Sequence, residues 1–461
     1  MTFNPMDQFY QQFKQLVSGP RYPDRFYIPS KYTYKDIYAL SAGIRETFFS
    51  SGMEETICLC AMDKGIVAAA FLAAMTCPVT FVIPHSFSES ALLDMYHSIP
   101  FSRAITDQVI SFPPEVETLV IDTRKMLKTE FFHGIHGALR RPDSIFLKLF
   151  TGGSTGTPKI WSKTIRNMFA EAFFLSGKFN ISSSDRFAAT VPPIHIYGLL
   201  FSVLLPLVAS AAVLEDVFTF PHEIHRAIEK EGASVLVSIP IHYRVLNGSG
   251  MTRAALRLAF SSAGKLRQAD SQSFFEQTGL GVIEIYGSTE SGGIATRCWA
   301  GGQAHYISHD CVDWKIKSDR LFVRSDFVSP EIPRDDDGFI DTGDHVQAVG
   351  KDSFKLIGRA DRVVKVAGKR VDMDEVKNKI IRLANVTDAL VISTKSQTGR
   401  ENEIWALVEG NIEKNKLKQQ IMAMLEPYAV PRWIKIVESI PVSPTGKYDK
   451  TTIERIFQKI I

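Results

Sequence analysis

Thr151-Gly152-Gly153-Ser154-Thr155-Gly156-Thr157-Pro158-Lys159 comes straight after the apolar run Ile145 to Phe150. The run reads as a buried strand and the nine residues after it as a loop. Three glycines, three threonines, a serine and a lysine offer backbone N–H groups, hydroxyls and one cation to a polyanion. Glycine also lets the backbone approach such a ligand closely. The phosphate chain of a nucleotide suits the loop; a plain surface turn has the same composition, so the loop alone leaves both readings open. A Walker A loop is excluded, because that pattern needs Gly, four residues, then Gly-Lys-Ser/Thr. Here Pro158 precedes Lys159 and holds Thr157 extended, so no helix starts inside the loop.

Outward from the loop, strand-like runs alternate with helical periods. Thr56–Cys60, Val79–Ile83, Thr118–Ile121, Val235–Ile239 and Val282–Tyr286 read as strands. Ile165-Met168-Phe169-Ala172 and Ile224-Ala227-Ile228 follow the helical period. This alternation predicts an α/β fold of parallel-rich sheets with helices on both faces. Near residue 310 the texture changes to short strands with charged faces, Trp314–Ile316, Leu321–Val323 and Phe354–Ile357, a small antiparallel section. After the polar segment Gly358 to Arg362 a compact α+β unit follows. It has a helix from Asp374 to Leu383 capped by Asp372 and Glu375, strands at Ala389–Ile392 and Ile404–Val408, and a helix Lys416–Leu425. The expected organisation is a large domain over residues 1–357, a hinge at 358–361 and a small mobile C-terminal domain over 362–461.

A chain of 461 residues exceeds a typical single core, which agrees with two or more domains. The net charge of +3 gives no case for nucleic acid or a membrane surface as partner. Five scattered cysteines without a CxxC pair support neither a disulfide framework nor a zinc site and fit a reducing cytoplasm. The N-terminal residues show no leader pattern. Two uncharged runs, Gly65 to Pro84 and Tyr197 to Leu214, approach the length of a membrane span. Pro78 and Pro206 interrupt them, so both read as buried helix–strand units rather than membrane insertions.

Four more segments follow the loop in order. Pro192 to Gly198, with His195 and Tyr197, leads into an apolar helix; a lone histidine there is by default a packed residue. Tyr286-Gly287-Ser288-Thr289-Glu290 ends a strand with an aromatic, a glycine and a carboxylate, suited to base stacking and a magnesium ligand, or to a simple turn. Asp341-Thr342-Gly343-Asp344 and Gly358-Arg359 offer either ribose contacts or a surface ion pair. Pro441-Val442-Ser443-Pro444-Thr445-Gly446-Lys447 reads by default as a solvated turn.

Together these strings resemble the adenylate-forming superfamily of acyl-CoA synthetases, carrier-protein-loading enzymes and luciferases. The resemblance runs from Thr151 to the C-terminus. The glycine loop is similar to that family's phosphate-binding motif, and Tyr286 to Glu290 to its YG-x-TE motif. Asp341 to Asp344 is similar to its TGD motif, Gly358 to Gly368 to its hinge motif, and Pro441 to Lys447 to its terminal lysine motif.

The resemblance implies ATP and Mg²⁺ as cofactors and a small carboxylic acid as substrate. The acid displaces pyrophosphate to give an acyl adenylate, and a thiol of coenzyme A or of an acyl carrier protein's phosphopantetheine then displaces AMP. It implies that Lys447 bridges carboxylate and nucleotide and that Glu290, with Thr155, holds Mg²⁺. Thr151, Gly153, Ser154, Thr155, Gly156 and Lys159 would take the phosphates. Gly264, Tyr286, Gly287 and Thr289 would also bind the nucleotide, Tyr286 against adenine, and Asp344 and Arg359 would hold the ribose. His195, Tyr197, Ser238, Ala263 and Gly287 would line the acyl pocket, with His195 also a catalytic candidate. Asp361 would be the hinge, and Lys365 with Gly368 would serve the thioester step.

Some positions depart from the family. Gly152 stands where the family has Ser, Lys450 where Arg is common, and Ala73 to Val79 resembles the early Lys-Ala-Gly motif only loosely. The stretch before Thr151 is short, which predicts a trimmed N-terminal subdomain. The acyl pocket reads as small and apolar, favouring an aryl or fatty acid unless Arg244 or Lys265 points inward. The alternatives are a carrier-protein-loading ligase, a succinylbenzoate-like dicarboxylate ligase and a non-catalytic nucleotide-binding relative. A monomer or homodimer without nucleic acid is expected.

Overall fold

The computed structural model describes residues 5–48, 54–127, 138–151, 159–366, 369–395, 402–443 and 448–458. It divides into two compact units. The first comprises Met1–Ala304, His309–Val312 and Arg324–Pro333; the second comprises His305–Ser308, Asp313–Val323 and Arg334–Ile461. The expected hinge at 358–361 falls inside the second unit.

The first unit is built on two sheets of like design. One has the order Glu117–Val120, Arg103–Thr106, Glu55–Cys60, Val79–Ile83, Ile145–Thr151, Lys159–Thr164. Its strands run parallel except the last, which pairs antiparallel with Ile145–Thr151. In the other, Ala212–Val217, Arg186–Ala189, Val235–Ser238, Leu258–Ser261 and Val282–Ser288 are parallel, and Gly292–Cys298 turns back antiparallel. The parallel-rich α/β architecture expected from the alternating runs is therefore present. The short stretch before Thr151 holds five strands of the first sheet.

A shared apolar core takes Phe71, Phe81, Phe146, Phe169 and Phe187, all at 0 % exposure. The helix Lys64–Ala74 is buried along its whole length, which accounts for the uncharged run there. No helix among the described residues is long and apolar enough to cross a membrane.

The second uncharged run holds one helical stretch with a wide turn in it: α over Ile196–Leu199, π over Leu200–Leu204, α over Leu205–Ala209. Pro206 supplies the reason. It has no N–H for the carbonyl one turn back and its ring crowds that carbonyl, so the turn before it widens.

The second unit carries an antiparallel section in the order Tyr306–Ser308, Ser353–Arg359, Ile340–Ala348, Arg320–Arg324, Asp313–Lys317. A hairpin of Val363–Val366 and Lys369–Asp372 follows. The strands Val386–Lys395, Asn402–Gly410 and Trp433–Val437 then form a sheet with helices Met373–Ile381 and Lys414–Met424. Asp372 caps the first of these helices, accepting from the Asp374 and Glu375 amides at 2.8 and 3.4 Å.

Candidate active site

Parallel α/β sheets place ligands outside the carboxyl ends of their strands, where successive connections leave in opposite directions. In the second sheet that point lies between Arg186–Ala189 and Val235–Ser238. The first connects outward to Ala212–Val217, and the second connects the other way to Leu258–Ser261. Thr190 follows the one strand and Ser238 ends the other. The segment from Pro192 to Gly198, carrying His195 and Tyr197, leaves from this same point. Gly198 permits its course, since a Cβ there would stand 2.0 Å from the Pro192 carbonyl oxygen.

The end of Leu258–Ser261 leads into Ala263, whose φ of +67° is unusual for a residue with a side chain. Ser262 Oγ donates to the Ile285 carbonyl at 3.1 Å and ties this loop to the next strand. Ala263 and Gly264 are exposed there. The sequence-predicted acyl-pocket residues His195, Tyr197, Ser238, Ala263 and Gly287 thus all sit on carboxyl-end segments of one sheet.

Tyr286 and Gly287 lie in the strand Val282–Ser288, and Thr289 and Glu290 form the turn into Gly292–Cys298. Ser288 and Ser291 lock that turn by reciprocal hydroxyl–amide bonds at 3.1 Å. Gly287 has no room for a side chain, because a Cβ would come within 2.2 Å of the Gly292 carbonyl oxygen. Thr289 is buried and Glu290 half-buried. The Glu290 carbonyl accepts from Ser329 N at 2.8 Å. Among the described residues no hydrogen bond or ion pair is made by its carboxylate. Magnesium binds hard oxygens, commonly one or two carboxylates together with substrate phosphates, and a half-buried, unpaired carboxylate fits that role. No group of three or more His, Cys, Asp or Glu forms a metal cage among the described residues.

Thr151 and Lys159 are register partners at the ends of their strands. The loop between them, including Gly153, Ser154, Thr155 and Gly156, lies outside the described residues. Its frame is nonetheless informative: a strand follows it, where a Walker A loop leads into a helix.

In the second unit Asp344 and Arg359 are opposite one another across Ile340–Ala348 and Ser353–Arg359. Arg359 Nη1 lies 3.5 Å from Asp344 Oδ1, so the pair that the sequence left open is an ion pair in this structure. Asp361 lies in the 3₁₀ turn Ala360–Arg362 and Lys365 in the strand Val363–Val366; their side chains lie outside the description. Lys447 and Gly368 also fall outside the described residues. Val442 and Tyr448, on either side of Lys447 in the sequence, form an antiparallel bridge, and Tyr448 Oη donates to Asp388 Oδ2 at 2.9 Å.

The family model of AMP-binding enzymes matches residues 31–320, well over half of the chain. This chain belongs to the AMP-binding enzyme family. The match begins at residue 31, well before Thr151, the first position carrying the motif resemblance. Sulfoacetate–CoA ligase of Cupriavidus necator is 24% identical over 341 residues, which is 67% of each chain. The phenyloxazoline synthase MbtB of a Mycobacterium species is 24% identical over 364 residues, 70% of this chain but 31% of that protein. The ATP-bound MatB of Rhodopseudomonas palustris superposes with a TM-score of 0.82 at 18% identity, covering 97% of this chain and 99% of that one. That likeness establishes the fold.

Four polar residues of this AMP-binding enzyme carry no motif and escaped the sequence reading. Thr190 Oγ1 lies 2.9 Å from Ser238 Oγ and 2.6 Å from His242 Nδ1, so a hydroxyl–imidazole chain stands at the switch point of the second sheet. The apolar lining expected there is therefore incomplete. Burial pulls the His242 pKa down to about 4, keeping the ring neutral. Arg244 Nε lies 3.8 Å from the buried Asp270 carboxylate, and Lys265 is exposed. The other two are Lys163 and Glu171, both buried. Burial lowers Lys163 to about 8 against the pull of Glu171, Glu290 and Glu331. Burial raises Glu171 to about 7, opposed by Lys163 and by the Gly293 amide.

Proposed function

We propose that this enzyme activates a carboxylic acid with ATP, releasing pyrophosphate, and passes the acyl group from the adenylate to a thiol. The observation that carries this is the first unit's second sheet. Its carboxyl ends gather the segment that would take the acid and, on the neighbouring turn, a half-buried carboxylate suited to magnesium. Adenylation brings an anion to a polyanion, so charge must be neutralised for it to proceed. Glu290 would hold Mg²⁺, which neutralises phosphate charge when bound. Lys159 and the loop before it would hold the departing pyrophosphate. Tyr286 would lie against adenine, and Asp344 and Arg359 would take the ribose hydroxyls. Lys447 would bridge the carboxylate and the α-phosphate, Lys365 would serve the thiol step, and Asp361 would be the hinge.

The acid is an aryl or fatty acid, with a dicarboxylate as the alternative. The acceptor is coenzyme A or the phosphopantetheine of a carrier protein. Compartment and oligomeric state follow the sequence expectation of a cytoplasmic monomer or homodimer. A pyrophosphate-exchange assay over a panel of aryl, fatty and dicarboxylic acids tests the proposal. Exchange dependent on one class of acid is expected, followed by thioester formation when coenzyme A or a charged carrier protein is added. ATP binding without exchange for any acid would instead make this a nucleotide-binding relative.

A further inference from the structure

Lys163 and Glu171 are buried charges that no step of acid activation requires. Lys163 is 1 % exposed and Glu171 4 %. Lys163 sits in Lys159–Thr164, the strand that leaves the phosphate loop, and Thr164 caps the helix Ile165–Lys178 in a box with Asn167. Asn167 and Glu171 are four residues apart on that helix and share a face, and Lys163 at the strand's end reaches the same Phe327 segment as Asn167.

That stripe grips two segments of the same unit. Lys163 Nζ donates to the Phe327 carbonyl at 3.0 Å and lies 3.5 Å from the Glu290 carbonyl. Asn167 Nδ2 donates to the carbonyls of Asp326 and Val328 at 2.7 and 3.1 Å. Glu171 Oε1 accepts from Gly293 N at 2.8 Å. The Ser329 amide closes the circuit by donating to the Glu290 carbonyl at 2.8 Å. Gly292 and Gly293 make the approach possible, since a Cβ on either would come within 2.8 Å of a Glu171 carboxylate oxygen.

Burying two charged groups is a poor device for stability alone, because well-packed apolar side chains of the same volume commonly do as well. What they supply is a single arrangement, since each charged group must keep its backbone partner, the Phe327 carbonyl for Lys163 and the Gly293 amide for Glu171. We propose that Lys163 and Glu171 are positioning residues that hold the Glu290 turn in fixed relation to the strand bearing Lys159. Nucleotide phosphate and its magnesium are then met together. This rests on the reading of Glu290 as the magnesium carboxylate.

The informative variant is the double Lys163→Met/Glu171→Gln, which removes both buried charges together. Nucleotide affinity is measured by calorimetry in Mg²⁺ and in EDTA, with urea unfolding alongside. We expect affinity in Mg²⁺ to fall about tenfold or more, as for partners lying just outside a metal's ligands, with affinity in EDTA little changed. A folded double variant that keeps the full gain from Mg²⁺ overturns the proposal, leaving the pair a structural staple. If the double variant does not fold, Glu171→Gln alone is read by the same ratio and the same rule, since it keeps an oxygen for the Gly293 amide. Glu290→Gln separates the two levels. If it leaves the Mg²⁺ gain intact, the magnesium reading fails and this inference with it. If it abolishes the gain while the double variant retains it, only the positioning role fails.

Discussion

His242 shows how one buried side chain turns chemistry into a measurable stability. Burial holds its pKa near 4 in the folded chain, against an ordinary value of 6.5. Between those values the unfolded chain binds more protons than the folded one. Stability therefore rises with pH through that window and is lost on acidification. From pH 7 to pH 4.5 this one group should cost about 2 kcal/mol. His309, lowered to about 3 by burial and then by Lys178, acts in the same direction. His242→Gln should remove its own share, so the stability difference between wild type and variant changes by about 2 kcal/mol over that range. Urea unfolding at the two pH values measures this, and parallel losses in both proteins would rule it out. Residues such as Tyr286 and Asp344 could be picked out as candidates from the sequence because each sits in a short string whose chemistry is local. Lys163, Glu171, Thr190 and His242 were not. Thr190 and His242 lie 52 residues apart and meet only once two strands pair side by side.

At the scale of elements, legibility followed the strength of the local signal. Val79–Ile83 has the bounds that its β-branched run and flanking prolines suggest. Ile145–Thr151 extends one residue past the apolar run because Thr151 pairs with Lys159 across the loop. The wide turn at Leu200–Leu204 was not legible, since hydrophobic period alone does not separate α from π hydrogen bonding. Its start depends on Gly198, whose missing side chain lets the helix press on the Pro192 carbonyl. Gly198→Ala must move backbone on one side or the other. The expected loss is about 2–3 kcal/mol by urea unfolding, the upper part of the range for overpacking. The same shift moves Tyr197 at the switch point, so the KM for the acid should rise more than the KM for ATP. A variant with unchanged stability would mean the Pro192 segment gives way freely.

For the whole molecule the two half-reactions make different demands, and the role proposed for Lys447 is tested by that difference. In the first, a carboxylate must approach the triphosphate, and the bridging cation offsets repulsion that is greatest in the transition state. In the second, a thiol attacks the carbonyl of a mixed anhydride already formed, with no second anion to draw in. The lysine belongs to the second unit, where Val442 and Tyr448, on either side of it in the sequence, form an antiparallel bridge. Urea unfolding checks that Lys447→Ala leaves the protein folded. Pyrophosphate exchange should fall by about 10²–10³, the usual loss for one group aimed at developing charge. Thioester formation from a chemically supplied acyl adenylate should stay within about threefold, because the step that needs the cation has been bypassed. Equal loss in both assays would show that Lys447 serves nucleotide binding generally, and the bridging role would pass to another cation.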